Sequence, residues 1–518
     1  MAIELRFDTP VFVVGAGIMG AGIAQVAAQA GHPVRLFDSR DGAADSARAK
    51  LAATLDGLAA KGRLDAAEAA AIAGRIASAA RLDDAAAAGL VVEAIVENLD
   101  AKRALFRDLE QIVGEGTVLA SNTSSISITA LARELKRPGR LVGMHFFNPV
   151  PLMKLVEVVS GLATDAEVAA AIFELAKAWG KTAVHARSTP GFIVNRIARP
   201  YYAETLALLH ERFAEPAVID ACLRGAGFRM GPCELMDLIG HDTNFAVTQS
   251  VFDANFGDKR YQPSLVQREM VDGGLLGRKS GRGFFVYGAG GAALPSPAAS
   301  PFDDAPMPTG AIVALHGGGI AVDRWKTRLE DAGARFEADP GSRWNGLQTD
   351  SGELRLTDGR AATHVAAESG VRDLAVFDLA VAPAGGVPGT PLALAFAAST
   401  SVAWRDQAAV WLRIAGWQPH PIGDAPGLVV ARTIAMLVNE GADAVHQGVC
   451  SAEGADLAMK LGVAYPAGPF EFLARWDATA VATLLDHLDN HYRGERYRVS
   501  PGLRERACLA QLAPSAPV

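Results

Sequence analysis

The sequence predicts an α/β chain in which a doubly wound, largely parallel sheet is followed by an all-helical domain, a degenerate α/β segment and a second copy of the helical domain. Three observations lead there. Strand-like apolar runs alternate with helical stretches as far as Pro190, strand patterns become scarce beyond Gly191, and residues near 421 repeat the sequence that opens the helical region.

The 518 residues exceed what one hydrophobic core ordinarily organises, so several domains are expected. Hydrophobic residues make up 50% and charged residues 20%, the balance of a soluble globular chain. A net charge of -8 leaves no broad basic surface for phosphate backbones, so no nucleic-acid partner is expected. Cys222, Cys233, Cys450 and Cys508 lie far apart without a CxxC pair, which argues against a zinc site or a disulfide framework and fits a reducing, cytoplasmic setting. Glu4, Arg6 and Asp8 interrupt the start of the chain, so no signal peptide is read there, and no apolar run is long enough to span a membrane.

Residues 8–190 form the first expected domain. It opens with VFVV, the turn GAGIMG, a helix through AGIAQVAAQAGH and then VRLFD, which together make a βαβ unit. Ala-rich sequence from Asp41 to Ala80 predicts two helices broken near Gly62. Strands are expected in LVVEAIVE (Leu90 to Glu97), TVLAS (Thr117 to Ser121), RLVGMHFF (Arg140 to Phe147) and LVEVV (Leu155 to Val159). Residues 191–287 follow as the helical domain, with Phe192, Val194, Ile197, Tyr201 and Leu208 at helical spacing. Residues 288–310, rich in Gly, Ala, Pro and Ser, read as a linker. The degenerate α/β segment, 311–420, holds no counterpart of GAGIMG, SNTSS or HFFNP, and the second helical repeat spans 421–510. In that repeat TPGFIVNR is echoed by APGLVVAR and GPCEL by GPFEF, while Asn195 of the first copy becomes Ala431 in the second.

The pattern Gly15, Gly17, Gly20 sits between a strand and a helix, and Asp38 closes the next strand about 20 residues later, the layout of a Rossmann-type dinucleotide site. Gly15 permits the tight turn, Gly17 lets the backbone approach a pyrophosphate and Gly20 lets the helix pack on the strand. Ala16, Ile18 and Met19 complete the loop. Asp38 would accept hydrogen bonds from the adenosine ribose and repel a 2′-phosphate, so the expected cofactor is NAD; Arg40 alone keeps NADP open.

His145 ends a strand, where ligand sites in such sheets gather. Glu157 lies inside the apolar strand LVEVV, where an unpaired carboxylate is costly, and a neighbouring imidazole would compensate it. The run from Ser121 to Ser127 offers hydroxyls and amides at the same sheet edge, or caps the next helix.

Taken together, GAGIMGAGIAQ, VVEAIVENLDAK, SNTSSISIT, HFFNPVPLMKLVEVV, TPGFIVNR and LLGRKSGRGFF resemble the L-3-hydroxyacyl-CoA dehydrogenases, in that family's order, over roughly residues 8 to 288. The resemblance implies an acyl-CoA substrate and no metal. It makes His145 the general base, Glu157 its electrostatic partner, Ser124 a hydrogen-bond donor to the substrate hydroxyl beside the nicotinamide, and Asn195 an orienting group. It also implies that Glu97, Lys102, Asn148 and Lys279 lie near the cofactor and that Thr54 and Lys61 contact the CoA portion. The layout with a second helical repeat is similar to the bacterial form found in phenylacetate catabolism, where the substrate is 3-hydroxyadipyl-CoA, and it also occurs in 3-hydroxybutyryl-CoA enzymes. Because the family commonly dimerises through its helical domain, the expected assembly is a homo-oligomer or an intrachain pseudo-dimer of the two helical copies. Two alternatives stand beside this reading: a related dehydrogenase of a free hydroxy or sugar acid, and a non-catalytic NAD-binding protein.

Overall fold

In chain order the first elements are β1 (Val11–Val14), α1 (Ile18–Gln29), β2 (Val34–Phe37), α2 (Ala43–Ala60), α3 (Ala66–Gly74), β3 (Ile76–Ser78), β4 (Leu90–Glu93), α4 (Leu99–Ile112), β5 (Val118–Ser121), α5 (Ile128–Ala132), β6 (Leu141–Phe146), β7 (Leu155–Ser160), α6 (Ala166–Ala178), β8 (Thr182–Arg187) and α7 (Val194–Ile197). The helices α8 (Arg199–His210), α9 (Pro216–Gly225), α10 (Pro232–Ile239), α11 (His241–Ala254) and α12 (Leu265–Asp272) follow. A second mixed region comprises β9 (Val313–His316), α13 (Ile320–Asp331), β10 (Phe336–Asp339), β11 (Gly346–Thr349), β12 (Gly352–Leu356), α14 (Ala362–Ser369), β13 (Leu374–Phe377), β14 (Thr390–Phe396), α15 (Val402–Ile414) and β15 (Trp417–Pro421). The chain closes with α16 (Val430–His446), α17 (Ala452–Gly462), α18 (Pro469–Arg475), α19 (Ala478–Tyr492) and α20 (Pro501–Leu512). This computed structural model describes residues 5–288, 312–381 and 389–512, so the expected linker, Gly288 apart, lies outside the described residues.

Two compact units emerge. The first joins residues 1–196 to 444–463, and the second joins 197–443 to 464–518.

In the first unit the sheet order is β3-β2-β1-β4-β5-β6-β7-β8. Its middle strands β1, β4 and β5 are buried at every position, because helices cover both faces of a parallel sheet and leave no polar side. Strand order reverses at β1, which lies between β2 and β4, and this opens a crevice at the carboxyl ends of β1 and β4.

Three features depart from the sequence-based expectation. The strand expected through Glu97 ends at Glu93, since Glu93 turns its Oε1 onto the Ile95 amide (2.8 Å) and Asn98 caps α4 through Ala101 (2.9 Å). Strands β3 and β8 were not expected and extend the sheet at both edges. Finally, β7 runs antiparallel to β6, because the short connection between them leaves no room for the crossover a parallel neighbour needs.

This unit also contains a piece of the second helical repeat. α17 packs on β7 and β8, the Arg187 amide donates to the Val449 carbonyl (2.9 Å), and the buried Arg196 donates to the Gln447 side chain (2.9 Å). A Cβ on Gly462 would come within 2.8 Å of Leu155 and 3.0 Å of Val194, so the helix reaches its seat only because that position is bare.

In the second unit the sheet order is β10-β9-β11-β12-β13-β14-β15, with Trp325, Trp404 and Trp417 filling its core. The exchange seen in the first unit recurs with the copies reversed. α9 packs on β14, and the Gly423 amide donates to the Phe213 carbonyl (2.7 Å); Gly423 and Phe213 match Arg187 and Val449 by the offset that relates Gly191 to Gly427.

The two helical copies share buried polar anchors within this unit. Glu204, fully buried, accepts from Arg432 Nε (3.0 Å), Arg496 Nη2 (2.8 Å) and Tyr497 Oη (3.0 Å), and Arg260 reaches Asp443 (2.5 Å). Removing one member leaves a buried charge unpaired. Glu204→Ala is therefore expected to lower unfolding stability by about 3–5 kcal/mol, measured as a fall in the urea midpoint at unchanged slope.

Candidate active site

The glycine loop is built by close approach. Gly15 holds φ at 105°, and a Cβ there would lie 2.4 Å from the Ala94 carbonyl oxygen; a Cβ on Gly20 would lie 1.8 Å from the Gly15 carbonyl oxygen. Neither position tolerates a side chain. Gly17 differs, since a Cβ there would meet nothing within 4 Å: it faces open space at the start of α1, a helix whose first amides no side chain caps. Amides left free at a helix start, beside a surface without side chains, suit a pyrophosphate.

Asp38, one residue past β2, ties this loop to its acid. Its Oδ2 accepts from the Ala16 amide (2.8 Å), while Arg40 donates to it through Nε (3.0 Å) and Nη2 (3.1 Å). Those Arg40 hydrogen bonds, the largest influence, together with the amides of Ala16 and Arg40 outweigh the burial penalty and hold the Asp38 carboxyl down at about 2. The residues present therefore fit NAD: a bare cradle, unclaimed helix amides and an acid at the end of β2. Arg40 is committed to Asp38 rather than standing free for a phosphate.

At the carboxyl ends of β4 and β5 a second network forms. Lys102, 1% exposed, places Nζ 2.5 Å from Glu93 Oε1 and 3.2 Å from Glu97 Oε2. Ser121 Oγ donates to Glu93 Oε2 (2.6 Å). Glu97 Oε1 accepts from Thr123 Oγ1 (2.7 Å) and from the amides of Ser124 (2.9 Å) and Ser125 (3.1 Å). Burial alone would raise the Glu97 carboxyl, but the Lys102 ammonium and these donors outweigh it and hold the group below its ordinary value. The SNTSS turn is thus a clasp around Glu97, and it carries Ser124.

Next along the edge is the pair predicted from sequence. His145 and Glu157 face each other across the antiparallel β6–β7 register, and His145 Nδ1 lies 2.6 Å from Glu157 Oε2. A carboxylate only accepts, so Nδ1 carries the proton and Nε2 keeps its lone pair. The other Glu157 oxygen accepts from the amides of Ile193 (3.1 Å) and Val194 (2.9 Å). Those amides are presented by a turn in which Gly191 (φ 77°) and Phe192 (φ 46°) are both left-handed, a conformation a bulky side chain holds only when its surroundings demand it. Phe147 and Phe192 lie 4.5 and 5.8 Å from the imidazole, which is 5% exposed. Asn122 accepts the Phe146 amide (2.8 Å) and pins the strand end beside His145.

The remaining expected residues are distributed as follows. Asn195 is half-buried in α7, directly after Val194. Asn148 is exposed just beyond β6. Thr54 and Lys61 are exposed on and just after α2, with Thr54 Oγ1 donating to the Lys50 carbonyl (2.8 Å). Lys279 belongs to the second unit, where it pairs with Asp242 (2.5 Å). Glu93 was missed, although it carried the signal that revealed Glu157: a carboxylate inside an apolar strand.

The second sheet lacks the histidine–glutamate pair. Its β13–β14 pair is antiparallel like β6–β7, and Asp378 donates its amide to Ala393, so aspartate and alanine occupy the places of His145 and Glu157. Asp378 instead accepts the amides of Val429 (2.9 Å) and Val430 (2.7 Å), the counterparts of Ile193 and Val194. Burial, resisted by these donors, pushes the Asp378 carboxyl up to about 6. A glycine turn does persist after β9, contrary to expectation: Gly317 donates to Asp339 as Gly15 donates to Phe37 (2.8 Å each). Here, however, β11 is antiparallel to β9 where β4 is parallel to β1, and Asn345 Oδ1 fills the place of a Cβ on Gly317. Among the described residues no group of three or more His, Cys, Asp or Glu forms a metal site, and no helix is long and apolar enough to cross a membrane.

Residues 10–189 match the 3-hydroxyacyl-CoA dehydrogenase NAD binding domain, and 191–287 and 427–513 each match the C-terminal domain of the same family. Residues 354–426 match the 3-hydroxybutyryl-CoA dehydrogenase reduced Rossmann-fold domain. The chain is 42% identical to a 3-hydroxyadipyl-CoA dehydrogenase of Escherichia coli over 96% of its own length and 97% of that protein. It is 47% identical to a probable 3-hydroxybutyryl-CoA dehydrogenase of Deinococcus radiodurans, over 53% of its length and 99% of the relative. Among solved structures, a 3-hydroxybutyryl-CoA dehydrogenase from Escherichia coli matches with a TM-score of 0.86 and 42% identity, over 98% of this chain and 99% of that one.

Proposed function

The chain belongs to the 3-hydroxyacyl-CoA dehydrogenase family, and from that premise we propose that His145 is the general base in the NAD-dependent oxidation of an L-3-hydroxyacyl-CoA to the 3-ketoacyl-CoA. The observation that carries this reading is the 2.6 Å pair of His145 and Glu157, with the second carboxylate oxygen fixed by two amides. NAD, when bound along Gly15 to Gly20 with its ribose at Asp38, supplies the acceptor for the C3 hydride.

His145 Nε2 takes the proton from the C3 hydroxyl, and the imidazole becomes cationic as it does so. Glu157 then faces a positive charge that the resting state lacks, so its stabilisation is greatest where the barrier lies. Phe147 and Phe192 keep water from the ring and strengthen that attraction. Ser124, held on the Glu97 clasp, donates to the substrate oxygen, and Asn195 orients the reacting groups. Glu97, Lys102, Asn148 and Lys279 serve the cofactor, while Thr54 and Lys61 receive the CoA portion.

For the acyl group two substrates stand, 3-hydroxyadipyl-CoA and 3-hydroxybutyryl-CoA, because relatives bearing each name match both halves of this chain. The two helical copies form an intrachain pseudo-dimer, a reading supported by their shared Glu204 and Arg260 anchors. A cytoplasmic location fits four cysteines that are all free.

NADH formation tests the reading. The 3-hydroxyacyl-CoA thioesters are expected to exceed the free 3-hydroxy acids in kcat/KM by at least about 100-fold, since binding energy of the remote CoA is expressed at the reacting centre. Equal use of free acids would overturn the CoA assignment, and no NADH with any 3-hydroxyacyl-CoA would overturn the dehydrogenase.

A further inference from the structure

Arg199, at the start of α8, is 5% exposed and has no carboxylate partner among the described residues. Its Nη1 donates to Thr248 Oγ1 (3.1 Å), its guanidinium lies over the Tyr202 ring (4.9 Å), and its Nε is buried without an acceptor. The other buried arginines of this unit behave differently: Arg432 meets Glu204, and Arg260 meets Glu440 and Asp443. A guanidinium carries five donors and a full charge, so one hydroxyl and one ring face leave most of its desolvation uncompensated. Burial accordingly pushes the Arg199 guanidinium below its ordinary value.

Beside it lies a cavity of about 230 Å³ lined by Arg199, Tyr202, Leu206, Thr248, Gln262 and Gln267. Two further charged side chains border the space, but both are engaged elsewhere: Arg496 by Glu204 (2.8 Å) and Glu211 by Tyr492 (2.8 Å). Arg199 is therefore the unanswered charge. The wall that continues along α8 through Ala203, Leu206 and Ala207 is apolar, which suits alkyl carbon. The volume falls below the roughly 300 Å³ at which drug-sized ligand pockets begin, so the space suits a small acid rather than a nucleotide.

We propose that this cavity binds a carboxylate carried on a short alkyl chain, with the carboxylate on Arg199. The ligand is a free dicarboxylate.

The test uses the full chain as wild type, Arg199→Leu and Arg199→Lys. Adipate is expected to raise the Tm of the wild type and not that of Arg199→Leu. Arg199→Lys, which keeps the charge, is expected to recover part of that protection. Equal protection of wild type and Arg199→Leu by adipate, or protection by inorganic phosphate as strong as by adipate, overturns the proposal. Should Arg199→Leu fail to fold, Arg199→Lys decides alone: weaker adipate protection than in the wild type supports the proposal, and equal protection overturns it.

Discussion

His145→Gln is expected to lower kcat by about 10²–10⁴-fold, the range that a positioned general base contributes, with NAD affinity little changed. Glutamine keeps a donor toward Glu157 and fills much of the same volume, so β6 and β7 stay paired, but no basic nitrogen faces the substrate. Stopped-flow NADH formation measures the chemical step, and NAD titration by fluorescence measures binding separately. Glu157→Gln in the same experiment is expected to fall between the two enzymes: its amide still accepts from Ile193 or Val194, but it no longer offers a charge to the imidazolium. Near-normal kcat in either variant would remove His145 from its assigned role.

Truncation after Gly288 is expected to abolish activity and leave little soluble protein. The catalytic unit includes residues 444–463, and their loss uncovers β7 and β8, frees the Arg187 amide from Val449 and strips the Gln447 partner from Arg196. Arg196 follows the turn that presents amides to Glu157, so the damage reaches the catalytic pair. In the second unit the same cut strips Glu204 of Arg432 and Arg496. Shorter relatives span only about half of this chain and stand without a second half of their own, so a soluble, fully active monomer of residues 1–288 would refute the pseudo-dimer. Size-exclusion chromatography and NADH formation on the same sample decide it.

The parts of this protein that were legible in the sequence are those whose physics is local. Gly15, Gly17, Gly20 and Asp38 announce themselves because a tight turn, a close approach and an acid at a strand end each demand a residue type at a fixed distance. Glu157 was found because a carboxylate inside an apolar strand needs a partner, and the same reasoning applied to LVVE would have produced Glu93. The direction of β7 was hidden, since an apolar run reads alike in either orientation and only the short connection before it discriminates. Edge strands β3 and β8 lack the continuous apolar signal of the buried middle. In the second sheet the turn after β9 escaped notice because HGGG follows a different spacing from GAGIMG. The exchange of helices between copies depends on contacts across hundreds of residues, and Gln447, Val449 and Gly462 carry no local mark of it.

That exchange also sets an order of events during synthesis. The sheet bearing His145 and Glu157 is complete at Arg187, yet the segment that covers β7 and β8 ends at Gly462. At elongation of roughly 5–20 residues per second, the nascent catalytic sheet waits on the order of tens of seconds with an apolar face bare. A chain that stalls or is clipped between those points ends with an unfinished enzyme rather than a smaller working one, and residues 444–463 serve as the checkpoint for a sheet that ends at Arg187.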